Sequence, residues 1–168
     1  MAGFPSLKPA FTIQVKIDPP FSVGSHHRKT GLDVVPMIGG TVKAESDFAP
    51  SLNATFVGTG NDYIRADPDQ KRLRLDAHSV LKTHDDALIY VSYTGTVNLS
   101  EDSAKILAGA AGDLATDFGD SFTQFHFETG DERYKDLENG VFVGQGRFIS
   151  KTGEKVIVEY KVSQAVLG

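Results

Sequence analysis

Residues 71–96 read KRLRLDAHSVLKTHDDALIYVSYTGT, two alternating runs on either side of His84-Asp85-Asp86. Successive side chains of an extended strand point to opposite faces, so such alternation marks a strand with one face packed and one face free. In the first run Leu73, Leu75, Ala77, Ser79 and Leu81 fall on one face; Arg74, Asp76, His78, Val80 and Lys82 fall on the other. Two such runs joined by a short polar turn predict an antiparallel hairpin. If the sheet that contains it closes into a barrel, one face of each strand lines an interior. The expectation is that Asp76 and His78, two residues apart and so pointing the same way, share that interior.

Alternation continues through most of the chain. Residues 11–17 form a half-buried strand stopped by Asp18-Pro19-Pro20. Residues 34–42 carry Pro36 and the pair Gly39-Gly40, which predicts an edge or bulged strand, because proline cannot donate to a ladder and glycine marks bulges. Residues 52–57 make a short strand ending in a glycine-rich turn, Gly58-Thr59-Gly60-Asn61. Residues 122–127 give another strand, and residues 141–149 and 156–162 a hairpin across Lys151-Thr152-Gly153-Glu154. Gly144 and Gly146 suggest strand coiling at a barrel corner. One helix is expected over residues 100–112. Ser100 supplies its N-cap, Glu101 and Asp102 an acidic first turn, and Gly112 a stop. Many strands and a single helix predict an all-β fold. It is read as one antiparallel β-barrel of lipocalin-like or calycin-like shape over residues 1–168, with the short α-helix bracing one end.

A chain of 168 residues buries roughly 70% of its unfolded surface and needs no disulfide or metal to hold it. The formal net charge of -5 comes without a basic stripe, which argues against nucleic acid as a partner. The basic cluster His26-His27-Arg28-Lys29 reads as a solvated loop. The absence of cysteine excludes a disulfide framework and thiolate catalysis. No apolar run is long enough for a signal peptide or a membrane span, so a cytoplasmic protein with no membrane partner is expected.

A series of short segments, in order along nearly the whole chain, resembles the family of small β-barrel proteins labelled DUF3237. They are Val35-Pro36-Met37-Ile38-Gly39-Gly40-Thr41, Gly60-Asn61-Asp62-Tyr63, Leu75-Asp76-Ala77-His78 and Asp85-Asp86-Ala87-Leu88-Ile89-Tyr90-Val91. Phe127-Glu128-Thr129-Gly130, Arg133-Tyr134 and Phe142-Val143-Gly144-Gln145-Gly146 complete the series. The resemblance implies a closed or nearly closed antiparallel barrel with a central pocket. Its fungal members accompany secondary-metabolite enzymes, which implies a small, largely apolar ligand. Two departures stand out: Tyr63 replaces the family's Trp, and Asp136-Leu137-Glu138 replaces an expected Trp-Leu-Asn.

The candidate catalytic residues are Asp76, His78 and Asp62, the last also readable as a plain turn closure. Tyr63, Tyr90, His126, Glu128, Phe127, Arg133 and Arg147 are candidate substrate-binding residues. Carboxylate and imidazole can move protons, while phenol and guanidinium can hold an oxygen on which charge develops. Alternative readings stand beside this one: Asp76 and His78 on the solvent face or in structural hydrogen bonds, His126 and Glu128 on the solvent face, and Arg133 paired with Glu128 or Asp131. No metal site is expected, since no HxH, HExxH or CxxC signature occurs, and no cofactor either. The leading reading is a cofactor-independent cyclase, isomerase or lyase of a small hydrophobic molecule. That substrate would be held in the barrel against Phe56, Tyr90, Phe127 and Phe142. The alternatives are a non-enzymatic lipocalin-like carrier and a barrel with its interior packed shut. A homodimer joined through outward-facing Ala77 and Ser79 is a further expectation.

Overall fold

A computed structural model describes residues 3–168. In chain order the strands are β1 (Ser6–Ile17), β2 (Phe21–Ser22), β3 (Asp33–Ala44), β4 (Asn53–Ala66) and β5 (Arg72–Thr83), then β6 (Leu88–Asn98), β7 (Leu114–Ala115), β8 (Ser121–Glu128), β9 (Phe142–Ser150) and β10 (Val156–Val166). Apart from the two short strands β2 and β7, they form a closed antiparallel barrel in the order β1-β10-β9-β8-β6-β5-β4-β3, with β3 returning to pair β1. Closure pairs every long strand on both sides and so removes the exposed edges on which open sheets aggregate.

The residues read as an edge or bulged strand form β3, which is bulged and fully paired, between β1 and β4. Its register against β4 shifts between Pro36 and Thr41, placing the proline beside the irregularity rather than in a regular ladder. Gly40 has φ +137°, and a Cβ there would lie 2.0 Å from the Gln14 carbonyl oxygen. Glycine at this point lets the closing seam between β3 and β1 come together.

The glycine-rich segment at residues 58–61 is a bulge inside β4 rather than a turn. Phe56 pairs Leu81 and Gly60 pairs Ser79, so four residues of β4 advance against two of β5. The chain does not reverse, because the segments on both sides of the bulge stay paired to the same strand. Ser79 Oγ donates to the Thr59 carbonyl at 2.5 Å and fastens the bulge.

The interior is packed, which decides which face of each strand looks inward. Leu75, Ala77, Ser79 and Leu81 are buried and point in. Phe11, Phe48, Phe127 and Phe142 meet near one end with ring centroids 5.3–6.1 Å apart, and Tyr93, Phe125 and Tyr160 fill the middle. Gly144 and Gly146 also face in. A Cβ on Gly146 would sit 2.7 Å from the Tyr160 ring, so the missing side chain is the space that ring occupies.

This packing corrects three expectations. Asp76 and His78 lie on the outer wall, because the interior beside Tyr93 and Tyr160 takes the smaller, less polar Ala77 and Ser79. Those two residues are therefore unavailable for contact with a second subunit. Of the four aromatic walls expected around a substrate, Phe56, Phe127 and Phe142 are core residues and Tyr90 faces outward.

Helix α1 spans Glu101–Leu107 and opens with a reciprocal cap between Ser100 and Ser103. It ends before the expected Gly112, because Gly109 at φ +68° turns the chain away. Ile106 packs into the end of the barrel. The single turns Glu132–Tyr134 and α2 (Asp136–Asn139) were not foreseen. No helix among the described residues is long and apolar enough to cross a membrane.

Candidate active site on the outer wall

The residues that carry chemistry gather on the outside of β4, β5 and β6. Register pairs His78 with Ser92 and Val80 with Tyr90, which sets the Tyr90 phenol diagonally across from the imidazole. His78 Nε2 lies 2.9 Å from Asp76 Oδ1, and His78 Nδ1 lies 2.5 Å from Tyr90 Oη. An ionised carboxylate can only accept. In the neutral ring Nε2 therefore carries the hydrogen donated to Asp76, and Nδ1 accepts the Tyr90 hydroxyl proton. The three side chains form a relay, carboxylate to imidazole to phenol. Tyr63, one strand away, presents its ring to His78 with centroids 6.3 Å apart. The relay stands in partial contact with water, the Asp76 side chain being 59% and the His78 side chain 44% exposed.

Beside the relay is a hollow of about 380 Å³ lined by Arg28, Leu32, Tyr63, Arg65, Arg74, Leu75 and Asp76. Arg74 is occupied: its Nε and Nη2 donate to the two carboxylate oxygens of Asp67 at 3.0 and 2.8 Å, which holds Asp67 below the usual carboxylate range. Arg65 is not: its Nη1 is buried and has no hydrogen-bond partner among the described residues. A buried guanidinium nitrogen without an acceptor is costly, and a bound oxygen would relieve that cost. Among the described residues neither Arg28 nor Arg65 has an ion-pair partner.

Asp62 lies behind this wall, on the inner face of β4, and is only 6% exposed. Its Oδ1 accepts the Asp76 backbone N–H at 3.0 Å. Burial pushes the Asp62 carboxyl up to about 7; the hydrogen bond from Asp76 opposes the rise, and the Asp76 charge adds to it. Tyr93 and Tyr160 share the interior with it, and burial, together with the Asp62 charge, pushes both phenols up. Asp62 is thus no turn closure but a carboxyl able to exchange a proton near neutrality.

The remaining candidates are elsewhere. His126 and Glu128 are exposed on the outer face of β8, opposite Ser92 and Tyr90 respectively, which puts His126 two strands, about 10 Å, from His78. Phe127 is core. Arg133 donates to Asp131 through Nε at 2.9 Å and Nη2 at 2.7 Å, and to Asp85 through Nη1 at 2.7 Å. Together with the Tyr134 hydroxyl on Asp85 at 2.9 Å, this pins the turn after β8 onto the β5–β6 hairpin. The same guanidinium pulls the Asp131 carboxyl down to about 2. Arg147 lies on the outer face far from the relay. It donates to Glu159 through Nε at 2.8 Å while Gln14 Nε2 donates to the other oxygen at 2.6 Å, and its guanidinium covers Phe118 at 4.9 Å. Burial alone would raise the Glu159 carboxyl; the bonds from Gln14 and Arg147 outweigh it and hold the group low.

Sequence reasoning missed Arg28, Arg65 and Arg74. For two of them a signal existed: Arg65 shares the face of Tyr63, and Arg74 that of Asp76 and His78, by the same two-residue period. Arg28 had none, since it comes from a loop brought over the wall by the fold.

Solved structures share the whole architecture. A conserved protein of unknown function from Rhodopseudomonas palustris superposes with a TM-score of 0.75 at 24% identity, covering 99% of this chain and 100% of its own. A beta-barrel like protein from Acinetobacter baumannii gives 0.72 at 22%, with 98% of each chain covered. A protein described as an enzyme, from Penicillium herquei, gives 0.64 at 19%, covering 98% of this chain and 97% of its own. Identities this low show a common fold. No curated protein matches the chain. A family model described as "Protein of unknown function (DUF3237)" matches residues 5–165, and with nearly the whole chain covered the protein belongs to that family.

Proposed function

We propose that the chain is a cofactor-independent enzyme, a cyclase, isomerase or lyase, acting on a small and largely apolar molecule that bears a reactive oxygen. The Asp76–His78–Tyr90 relay beside the hollow carries this reading, and the buried, unpaired nitrogen of Arg65 supports it. Cyclisation, isomerisation and elimination all need one proton removed and one delivered. His78, its ring fixed between Asp76 and Tyr90, takes or returns the proton, and Asp76 is the relay member that lines the hollow where the molecule sits. Arg65 and Arg28 hold the oxygen on which negative charge builds, the task of an oxyanion site. The Tyr63 ring and Leu32 give the substrate an apolar surface, and fixing its orientation lowers the barrier further. The substrate sits on the wall because the relay faces outward, away from the packed centre of the barrel around Tyr93, Phe125 and Tyr160. The fold shared with a protein described as an enzyme is compatible with catalysis.

The test is proton exchange. The protein is incubated in D2O with a panel of enolisable aromatic ketones, and deuterium uptake is read by mass spectrometry. Uptake at one member is expected to fall at least tenfold in Asp76→Asn and in His78→Ala, each with an unchanged circular dichroism spectrum. Equal rates in the parent and both variants would remove this mechanism.

A further inference from the structure

At the α1 end of the barrel the packing stops short and leaves a second cavity, of about 730 Å³. Its walls are the inward-facing residues at the strand ends, Ile17, Val35, Ile64, Leu73 and Val156. Its roof is α1 and the flanking residues, among them Leu99, Ala104 and Leu107. The relay residues do not border it. The volume lies in the range of roughly 300–1,000 Å³ typical of small-molecule sites, and barrel mouths are among their usual places.

The rim gives the site a charge preference. Asp18, Asp33, Glu154 and Lys155 are its charged members. Lys155 Nζ lies 2.5 Å from Asp18 Oδ1, so that pair cancels. Among the described residues the Asp33 side chain accepts only the neutral Ser22 hydroxyl, at 2.6 Å, and Glu154 has no ion-pair partner. Two carboxylates thus stand uncompensated around an apolar hole. Their field favours a cation and disfavours an anion at the mouth.

We propose that the barrel mouth is a second binding site, distinct from the outer-wall hollow, for an apolar molecule carrying a protonated amine. The hydrocarbon part enters beneath α1, and the ammonium stays at the rim between Asp33 and Glu154. The two sites are opposite in preference: the wall offers free guanidinium groups to an oxygen anion, the mouth offers carboxylates to a cation.

The experiment uses the full chain and three probes of one shape, 1-naphthylmethylamine, 1-naphthalenemethanol and 1-naphthoate, titrated at neutral pH by calorimetry. The amine is expected to bind saturably and at least tenfold more tightly than the alcohol. Ala104→Trp projects an indole from an exposed helix position into the cavity and should weaken the amine at least tenfold. Asp33→Asn with Glu154→Gln should weaken the amine and leave the alcohol unchanged. His78→Ala, on the other wall, should change neither. No saturable amine binding, equal affinity for all three probes, or amine binding indifferent to Ala104→Trp in a variant of parental melting temperature would each overturn the proposal. Naphthoate binding that survives Ala104→Trp would belong to the wall hollow, and the mouth proposal requires that any such binding disappear in Arg65→Gln.

Discussion

Asp62 makes the stability of the barrel depend on pH in a direction opposite to that of most carboxylates. Its carboxyl rises from an ordinary 3.8 to about 7, chiefly because burial penalises the charged form. That rise corresponds to about 4 kcal/mol of preference for the protonated state, at about 1.36 kcal/mol per pH unit. Between pH 3.8 and about 7 the folded chain holds this proton and the unfolded chain has released it, so stability falls with rising pH across that window. Above about 7 both states are ionised and the loss is complete. Asp62→Asn is neutral throughout, and its amide oxygen can still accept the Asp76 N–H. The variant should match the parent near pH 4 and exceed it by up to about 4 kcal/mol at pH 8, roughly 8–16 °C in Tm for a domain of this size. Urea unfolding of both proteins from pH 4 to 9 measures the difference directly. A difference that stays flat with pH, or a variant less stable than the parent at pH 8, would refute the reasoning.

Two further outcomes test the packing. Gly146→Ala should cost about 1–3 kcal/mol, because the added methyl lands 2.7 Å from a fully buried Tyr160 ring and 3.0 Å from Ser121 Oγ. Gly31→Ala, with nothing within 4 Å of its Cβ, should be close to neutral in the same thermal melt, and equal losses would contradict the account. Glu159→Ala should cost about 1.5–3 kcal/mol, since the Glu159 side chain is 9% exposed and takes bonds from Arg147 and Gln14. Chemical denaturation should show this loss to be well above that of Glu132→Ala, whose pair with Lys135 is exposed; parity between them would count against a structural role for the Gln14–Glu159–Arg147 chain.

The strands were legible because each carries the two-residue period that a sheet with one packed face imposes. The hairpins at residues 84–86 and 151–154 were legible because polar, turn-forming residues interrupt that period. The bulge in β4 was not, because Gly58-Thr59-Gly60-Asn61 is equally good chemistry for a reversal. What keeps it a bulge is the pairing of Phe56 and Gly60 to one strand, β5, and that is tertiary information. The single turn at Glu132–Tyr134 is held by Asp85 of the β5–β6 hairpin and by the Asp131 cap, that at Asp136–Asn139 by burial of Leu137, and no window of sequence long enough to show a helical period contains them.

The site poses a sharper problem. Alternation shows that Asp76 and His78 share a face, but it cannot show which face is inside, since moving every residue to the other side leaves the pattern unchanged. The deciding quantity is volume. Tyr93 pairs with Ala77 across β5 and β6, and its ring, with those of Phe125 and Tyr160, leaves room only for small neighbours. That choice sends Asp76 and His78 out to meet Tyr90 and Tyr63, and brings Asp62 in. Residue 76 then serves both sides of a wall one strand thick: its N–H turns inward to the Asp62 carboxyl, and its carboxylate turns outward to His78. Protonation of Asp62 withdraws charge from the acceptor of that N–H. The inner acid and the outer relay therefore meet at one peptide, which no single-face reading of residues 71–96 could have brought together.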